Sequence, residues 1–477
     1  MTQAWPPLVV NSVIEGVAWP GIPTTEGAAL LAILFQLEAT QWWTPEQILR
    51  RQGAQLQQLV SHARAHVPFY RDRLRTIADL PDDNSWLTVW RRIPPLLRAE
   101  IQALDADETM VARILPPGHG ELREIYTSGS TGKPIRSVRT QLWELIWGAF
   151  TVRDHLWHRR DLSGTFAAIR ESEKGKALYP DGTTAPSWGY SSATIVSTGP
   201  MVSLNVATPV EQQAEWLHRN DPDYLLTHPT IARRLADHCR VRGIRPERLK
   251  QVITIAENLR PEVRAACRAA WNTPVVDIYS AREVGYIALQ CPKFEHYHVQ
   301  SEGVFVEILD EAGAPCAPGQ VGRVLVTPLH NLAMPLIRYD IGDHAEVGDT
   351  CPCGRGLPVI RRILGRTQNM LVMPSGERRW PLLSSDSIEA MLKLAPAIRQ
   401  YQFVQRETDL IELRLAVAKP LQLDEESALT TWIQTKFAHP FRVAFTYLDA
   451  IPSTEAGKFA DFVSEVRDRS NNRHKVR

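Results

Sequence analysis

With 477 residues, the chain is too long for one hydrophobic core and predicts two or more domains. Hydrophobic residues make up 44% of the sequence and charged residues 22%, as in ordinary globular proteins. The formal net charge of +1 gives no overall basic field, so the composition argues against a partner that is a nucleic acid or a membrane.

The N-terminal region predicts neither an export signal nor a membrane span. Val9-Val10 is too short for the apolar core of a signal peptide, and the apolar run at 28–37 begins late and is short for a transmembrane helix. We therefore expect a cytoplasmic protein, in which the six cysteines are thiols or metal ligands rather than disulfides.

The first predicted element is a helix over Thr44–Arg75. Apolar residues recur there at helical spacing, at Ile48, Leu56, Leu59, Val60 and Ala63. Pro68 is expected to end the helix or to bend it.

The segment Tyr126–Pro134 reads Tyr-Thr-Ser-Gly-Ser-Thr-Gly-Lys-Pro and predicts a loop that binds phosphate. Its glycines let the backbone approach a ligand closely, successive N–H groups can form an anion-binding nest, and Lys133 adds a positive charge. The spacing is not that of a Walker A loop, because Gly129 and Gly132 are too close together and Pro134 replaces the required Ser or Thr.

The segment allows two other interpretations. One is an ordinary surface loop made of turn residues. The other is a serine hydrolase, because Ser130 to Lys133 fits the pattern S-x-x-K. That chemistry needs both side chains on one helical turn, and Gly132 and Pro134 oppose a helix there.

From 125 to 326, apolar β-rich runs alternate with helical patterns, which predicts an α/β domain with a mostly parallel sheet. The clearest strands are Tyr224–Thr227, Val252–Ile255 and Val275–Tyr279, with helices over 230–242 and 261–271 between them. Because ligands of such sheets bind beyond the carboxyl ends of the strands, Glu257 and the segment Tyr279–Glu283 are expected to converge on one crevice.

The later elements predict a different organisation. Gly303–Leu309 and Gly322–Thr327 are joined by an acidic turn and predict a small antiparallel β subdomain. A small α+β lid domain should follow Gly365-Arg366, with strands near 370–373, 410–417 and 443–448 and helices near 384–394 and 425–437. The expected domains are residues 1–366 and 367–477.

Cysteine and histidine residues predict a metal site. Cys351 and Cys353 form a tight C-x-C, and Cys291 lies upstream with His296 and His298. Three thiolates and an imidazole suit a closed tetrahedral zinc site, while the alternative is a set of reduced cysteines in loops.

Taken together, these motifs resemble the adenylate-forming superfamily of acyl-CoA synthetases, in particular its phenylacetate–CoA ligase branch. The resemblance runs from Leu59 to Lys458, with the motifs in the same order. They are Tyr126–Pro134, Ala256-Glu257, Tyr279–Glu283, Ile337–Asp343, Gly365-Arg366 and Gly457-Lys458. This chain departs from the usual family residues at Ala256, Ser280, Arg282 and Asn369.

The resemblance implies that ATP converts a carboxylic acid to an acyl-adenylate, and that a thiol then displaces AMP. Thr127 belongs to the catalytic set with Glu283, the expected Mg²⁺ ligand, and Lys458, the expected partner of the carboxylate and α-phosphate. The phosphate loop continues through Ser128, Gly129, Ser130, Thr131, Gly132 and Lys133. Ala256, Glu257, Tyr279 and Ser280 are expected near the adenine, and Asp343 and Arg366 near the ribose.

The resemblance also implies a structural zinc held by Cys291, His298, Cys351 and Cys353, and a hinge at Gly365–Asn369. An aromatic acid is the expected substrate and CoA the expected thiol, with a carrier protein or an amine as alternative acceptors and a non-catalytic relative as a further alternative. The acyl pocket is expected among His155, Trp157, Trp188 and Tyr190, which could equally be core aromatics. The oligomeric state stays open, with a homodimer among the options.

Overall fold

The computed structural model describes residues 8–83, 85–104, 108–126, 134–366, 370–379, 381, 383, 385–449, 451 and 461–466. The chain divides into two compact units, Met1–Leu364 and Gly365–Arg477. None of the helices in this described part of the chain combines the length and the apolar character needed to cross a bilayer.

The helices of the first unit are α1 Thr25–Thr40, α2 Pro45–His66, α3 Pro68–Arg73, α4 Trp86–Trp90, α5 Arg98–Ala103, α6 Gln141–Trp157, α7 Tyr190–Ala193, α8 Val210–Asn220, α9 Pro229–Arg242 and α10 Pro261–Trp271. Local sequence explains the start of α2, where the Thr44 hydroxyl accepts from the backbone N–H of Gln47 and the Gln47 side chain accepts from the N–H of Thr44. The predicted helix over 44–75 is therefore two helices, and the break falls at Pro68, as expected.

The strands that follow one another along this unit are β1 Leu96–Leu97, β2 Leu122–Tyr126, β3 Arg136–Thr140, β4 Phe166–Arg170, β5 Thr183–Ala185, β6 Met201–Asn205, β7 Tyr224–Thr227, β8 Gln251–Ile255, β9 Val275–Ala281, β10 Gly285–Gln290, β11 Tyr297–Val299, β12 Val304–Leu309, β13 Val321–Pro328, β14 Tyr339–Val347 and β15 Val359–Arg366. Strands β2 and β3 form a separate antiparallel hairpin.

One large sheet positions the rest of the unit. Its order is β12-β13-β14-β15-β11-β10-β9-β8-β7-β4-β6-β5, with β1 beside β14. The pairs β6–β4, β4–β7, β7–β8 and β8–β9 are parallel, as the alternating pattern predicted. Strands β12 and β13 are antiparallel, also as predicted, and they continue the same sheet rather than forming one of their own.

The apolar residues of α8, α9 and α10 pack with those of β4, β6, β7 and β8 in one core, which includes Trp216, Leu235 and Val252. A second core joins α2, α4 and the antiparallel strands, and includes Leu56, Trp90 and Tyr339. These buried layers fix the sheet, and its parallel strands end in loops at one edge.

The second unit is an α+β domain, as predicted. Its elements are β16 Leu371–Val372, β17 Arg378–Arg379, α11 Ser385–Leu394, β18 Ile398–Glu407, β19 Leu410–Val417, α12 Leu423–Lys436, β20 Arg442–Tyr447 and β21 Phe462–Ser464. Strands β20-β19-β18-β21 form a four-stranded sheet, and Phe403, Leu413 and Ile433 lie in its core.

Candidate functional site

The carboxyl ends of the parallel strands place two motif segments at one edge of the sheet. The register pairs Thr227 with Thr254 and Ile255 with Ile278, so β7, β8 and β9 end at neighbouring positions. Ala256 and Glu257 follow β8 directly, and Tyr279 and Ser280 lie near the C-terminal end of β9. The two segments therefore lie at the ends of neighbouring strands.

Glu257 is held at the start of α9. Its Oε2 accepts from the backbone N–H of Thr230 at 3.0 Å, and its Oε1 accepts from the Thr230 hydroxyl at 3.1 Å. Because the first turn of a helix presents unpaired N–H groups and a partial positive charge, this placement suits a carboxylate. Glu257 thus fixes the loop after β8 against α9.

Ala256 adopts a backbone conformation that is unusual for its side chain. Its φ is +70°, in the left-handed region that favours glycine. An L-residue with a Cβ costs about 1–2 kcal/mol there. This left-handed conformation explains why the family usually has glycine at this position. In this chain alanine adopts the same conformation.

Tyr279 and Asp343 bring two distant motifs into contact. The Tyr279 hydroxyl donates to Asp343 Oδ2 at 2.8 Å, and the two residues are separated by 64 positions. Tyr279 is 8% exposed and Asp343 lies on β14. The hydrogen bond orients the carboxylate of Asp343.

Glu283 lies in the turn between β9 and β10 and is buried. Its Oε1 accepts from the Tyr339 hydroxyl at 3.3 Å and lies 3.6 Å from a guanidinium nitrogen of Arg98. Burial, reinforced by the adjacent Glu283, raises the pKa of Tyr339 well above its usual value, so that phenol stays a donor. Arg98, on α5, is a site residue that sequence reasoning missed, because no motif marks it.

Arg282 connects the Glu283 turn to the base of the predicted phosphate loop. Its guanidinium donates to the carbonyl of Tyr126 at 3.4 Å and to Glu171 at 3.1 Å. Tyr126 is the last residue of β2 and pairs with Arg136 of β3, so the predicted loop joins the two strands of this hairpin. Arg282, at which this chain departs from the family pattern, thus contacts the residue that precedes the predicted loop.

Several predicted site residues lie outside the described residues. These are Thr127, Ser128, Gly129, Ser130, Thr131, Gly132 and Lys133 of the loop, Asn369 of the hinge, and Lys458. Two others are described but belong to no cluster reported above: Ser280 pairs with Tyr286 across the β9–β10 hairpin, and Arg366 ends β15.

Three of the four predicted metal ligands, Cys291, His298 and Cys351, form a cluster with His296. The ligand atoms of Cys291, His296, His298 and Cys351 all lie within 4.8 Å of one another. The Sγ atoms of Cys291 and Cys351 are 3.8 Å apart, and Cys353 Sγ lies 3.4 Å from His298 Nε2. Sulfur–sulfur and sulfur–nitrogen edges of about 3.8 and 3.5 Å are those of a tetrahedron with zinc bond lengths. His296, with Nε2 2.9 Å from Cys351 Sγ, joins the set as a fifth candidate.

The surroundings of this cluster favour a thiolate and a fixed imidazole. Donation from the Cys291 thiol, then from His298 and from Arg355, lowers the pKa of Cys353 despite its partial burial. His298 Nδ1 faces the carbonyl of Leu357 at 3.5 Å, which directs Nε2 toward the sulfurs. Such a donor set fits a metal cation.

The four aromatic residues proposed for the acyl pocket are dispersed. The rings of His155 and Trp188 are 5.2 Å apart in the interior beside Phe166. Trp157 packs against His298 and under the Arg355 guanidinium, while the exposed Tyr190 donates to Glu26. Trp157 and Trp188 are therefore core aromatic residues, which was the alternative to a place in the acyl pocket.

A different aromatic group lies close to the Glu283 turn. Trp143 and Trp147 on α6 have ring centroids 5.0 Å apart, and Trp147 is 5.4 Å from Tyr286 of β10. Gly285, with φ +100°, brings the strand so near that a Cβ would lie 3.1 Å from Trp143. The four-residue spacing of the two tryptophans is the sequence signal that could have identified this group.

Comparisons with known proteins agree with this arrangement. The family described as AMP-binding enzyme matches residues 52–331, and the CapK C-terminal domain matches residues 380–465. Phenylacetate-coenzyme A ligase of Thermus thermophilus is 26% identical over 394 residues, which cover 79% of this chain and 82% of that protein. The corresponding protein of Pseudomonas putida is 24% identical over 377 residues, covering 77% and 81%.

Solved structures show the same fold. A 2-hydroxyisobutyryl-CoA ligase, crystallised in the postadenylation state with R3-HIB-AMP, superimposes with a TM-score of 0.65 at 19% identity. The match covers 88% of this chain and 89% of that one.

Proposed function

Because the chain belongs to the family of AMP-binding enzymes, we propose that it is an AMP-forming acid–thiol ligase of the phenylacetate–CoA ligase type. It uses ATP to activate a small, aromatic carboxylic acid and transfers the acyl group to CoA. Mg²⁺ accompanies the ATP, and the reaction takes place in the cytoplasm.

The observation that supports this proposal is that motif segments far apart in the sequence lie at neighbouring strand ends or contact one another. Glu257 and Tyr279 stand at the ends of adjacent strands, Tyr279 contacts Asp343, and Arg282 contacts the base of the predicted phosphate loop. A nucleotide bound at this edge has carboxylates for its ribose and cationic and hydroxyl groups for its phosphates.

The chemistry proceeds in two displacements. A carboxylate oxygen of the acid attacks the α-phosphorus of ATP, and the bond to the bridging oxygen breaks to release pyrophosphate. The sulfur of the thiol then attacks the acyl carbon, its proton passes to solvent, and AMP leaves. The protein contributes by positioning the reactants and by stabilising the charge that develops.

Each predicted residue has a role in that scheme. Asp343, oriented by Tyr279, accepts from the ribose hydroxyls with help from Arg366. Ala256, Glu257 and Ser280 border the adenine. Backbone and hydroxyl groups of 127–132 bind the β- and γ-phosphates, and Lys133 adds charge.

Glu283 fits the role of a ligand for a hard cation. Glu283 is a buried carboxylate that contacts the neutral Tyr339 hydroxyl and lies near the cationic Arg98. These neighbours hold a carboxylate oxygen that can coordinate a metal ion. Bound Mg²⁺ would neutralise phosphate charge and favour departure of pyrophosphate. Arg98 and Tyr339 hold the carboxylate in place for that role.

Lys458 is proposed to act only during adenylation. It belongs to the second unit, which we propose is a lid, with domains 1–366 and 367–477 and a hinge at Gly365–Asn369. A lysine delivered by a moving lid stabilises charge on the α-phosphate in one position and withdraws in the other.

The Cys/His cluster is proposed to hold a structural zinc. Cys291, His298, Cys351 and Cys353 remain the proposed ligands, with His296 as the competing imidazole. Four protein ligands leave no open position, so the metal would support the fold rather than the reaction. Cys351 and Cys291 are buried, which agrees with a structural role.

The experiment that tests the proposal is a screen of carboxylic acids read by acid-dependent hydroxamate formation, since hydroxylamine traps an acyl-adenylate. We expect product with aromatic and other small acids and none without acid. Trapped adenylate without transfer to CoA would instead assign a carrier protein or an amine as acceptor. No product with any acid would identify a non-catalytic relative.

A further inference from the structure

Arg98 engages the carboxylate that is proposed to bind Mg²⁺. A guanidinium nitrogen of Arg98 lies 3.6 Å from Glu283 Oε1, and the Tyr339 hydroxyl donates to the same oxygen at 3.3 Å. The side chain of Glu283 is 6% exposed and that of Arg98 is 21% exposed, so the guanidinium is the more accessible member of the pair. One oxygen of the proposed metal ligand therefore already has a neutral donor and a cation beside it.

The backbone that leads into Arg98 is fixed by buried contacts. Strand β1 pairs with β14, with Leu96 opposite Tyr339, and Arg98 follows this strand at the start of α5. The buried Arg338 guanidinium donates to the carbonyl of Ile93 at 2.5 Å. The fold thus places Arg98 next to the strand that carries the other partner of Glu283.

A guanidinium and a divalent cation repel each other when both lie against one carboxylate. In a buried site this repulsion is screened less than it is in water. A single charge within about 4–6 Å changes the affinity of a carboxylate for a proton by about tenfold to a thousandfold, and a metal ion competes for the same oxygens. Arg98 should therefore weaken metal binding at Glu283 while no other anion is present.

A nucleotide changes this balance because it brings anions of its own. Arg282, the residue before Glu283, donates to the carbonyl of Tyr126 at 3.4 Å, so the turn lies beside the base of the predicted phosphate loop. Arginine binds phosphate oxygens through charge-assisted hydrogen bonds. A phosphate near this turn can take the guanidinium and leave the carboxylate to a metal ion.

We propose that Arg98 makes metal binding at Glu283 depend on the nucleotide. In the nucleotide-free protein, the guanidinium holds the carboxylate and opposes a divalent cation. When ATP binds, Arg98 exchanges the carboxylate for a phosphate oxygen, and Glu283 becomes available to the Mg²⁺ that accompanies the nucleotide. The inference rests on the proposed function, because it concerns the role of Glu283 as the Mg²⁺ ligand.

A purely structural ion pair is the other role that this contact allows. Loss of a structural pair would loosen the Glu283 turn, and both metal binding and the use of ATP would fall. The proposed exchange predicts changes of opposite sign. Removal of the guanidinium strengthens binding of the metal alone and weakens the use of MgATP.

The test measures the binding of Mn²⁺ to the protein without nucleotide or acid, by calorimetry and by the electron paramagnetic resonance signal of the free ion. Mn²⁺ is the probe because it takes the same oxygen ligands as Mg²⁺. At mildly alkaline pH, where glutamate is ionised, Arg98→Met should raise the affinity for Mn²⁺ by about tenfold or more. The same variant should lower kcat/KM for MgATP by about tenfold or more.

Two further variants show where the metal binds. Arg98→Lys keeps a cation beside the carboxylate and should keep the affinity for Mn²⁺ near that of the wild-type protein. Glu283→Gln combined with Arg98→Met should remove the gain in affinity, because the carboxylate that binds the ion is then absent.

Arg153→Met is the matched control. Arg153 lies 2.8 Å from Glu302 Oε1, and the same oxygen accepts from the Thr40 hydroxyl at 2.6 Å. This variant therefore frees a carboxylate with the same kinds of partner at a place outside the candidate site. It should leave the affinity for Mn²⁺ unchanged, and circular dichroism of each variant checks that the fold is retained.

An affinity for Mn²⁺ that stays equal or falls in Arg98→Met would overturn the inference, and so would an equal rise in Arg153→Met. A gain that persists in the double variant would place the ion elsewhere and overturn it as well. The binding measurement needs neither acid nor thiol, so its failure is independent of ligase activity. A protein that forms no AMP and still shows the gain retains this role of Arg98 and contradicts the proposed reaction alone.

Discussion

At the scale of single residues, the site depends on contacts that a motif does not reveal. The sequence identified Tyr279, Glu283 and Asp343 through their resemblance to a family, and the structure connects Tyr279 with Asp343 directly. Arg98 could not be found in this way, and the contact of Arg282 with Tyr126 could not be predicted, because both depend on the partners that folding brings together.

Tyr279→Phe tests the nucleotide role of that hydrogen bond. Removing the hydroxyl leaves Asp343 less well oriented, so we expect the KM for ATP to rise about threefold to tenfold, corresponding to about 0.5–1.5 kcal/mol. Tyr297→Phe is a matched control, because it removes another 2.8 Å bond from a buried tyrosine to an aspartate, Asp277. An equal rise in the KM for ATP in both variants would show that the effect is general loss of structure.

Ala256→Gly tests whether the left-handed backbone carries a cost. Glycine adopts a φ of +70° without strain, so the substitution should stabilise the protein by about 0.5–1 kcal/mol after its greater unfolded-state entropy is counted. Ala265→Gly, at an exposed site within α10, should instead destabilise it by about 1 kcal/mol. Denaturant unfolding measures both, and equal destabilisation would refute the strain.

At the scale of elements, hydrophobic periodicity and the residues that begin or end helices and strands predicted most of the parallel core. The elements β7, α9, β8, α10 and β9 were each expected within two residues of their observed bounds, because continuous apolar strands and capped helices carry strong local signals. Strand β18 was missed, because Gln400, Gln402 and Gln405 interrupt its apolar pattern and only pairing with β19 and β21 fixes it.

The continuity of the large sheet was also beyond local sequence. Strands β12 and β13 were expected as a separate antiparallel subdomain, yet β14, β15 and β11 join them to the parallel strands. The pairing of these strands depends on which strand edges meet in the folded protein. The alternation of apolar and polar residues describes only one strand at a time, so it does not predict that pairing.

The metal cluster belongs to this scale, because it joins β10, β11 and the turn before β15. If zinc is bound there, Cys351→Ser should abolish it and lower the free energy of unfolding by several kcal/mol, since structural zinc contributes folding energy. Cys316→Ser, at a cysteine outside the cluster, should leave the zinc content unchanged. Metal analysis of purified protein decides this, and wild-type protein without zinc would contradict the site.

At the scale of the whole molecule, two units are proposed to share one reaction. Lys458→Ala should slow acyl-adenylate formation by about 10²–10³, the usual loss for one electrostatic donor in a transition state. It should leave thioester formation from chemically made acyl-adenylate nearly unchanged. Lys419→Ala, at an exposed lysine of the same unit, should affect neither step. An equal fall in both steps for Lys458→Ala would remove the support for a lid that moves.

The family resemblance, which the AMP-binding enzyme match confirms, predicted this two-unit plan better than composition could. Length alone predicted only that more than one domain is present. The acid is the least predictable part, because no short motif marks the side chains that select an acyl group.

The central claim is that this protein couples ATP cleavage to thioester formation. The most direct measurement is the stoichiometry of the products formed from ATP, CoA and a preferred acid. Chromatography and mass spectrometry quantify these products. The account predicts that AMP, pyrophosphate and acyl-CoA form in equal amounts and that none forms without the acid. Acid-independent release of ADP, or the absence of AMP with every acid tested, would contradict it.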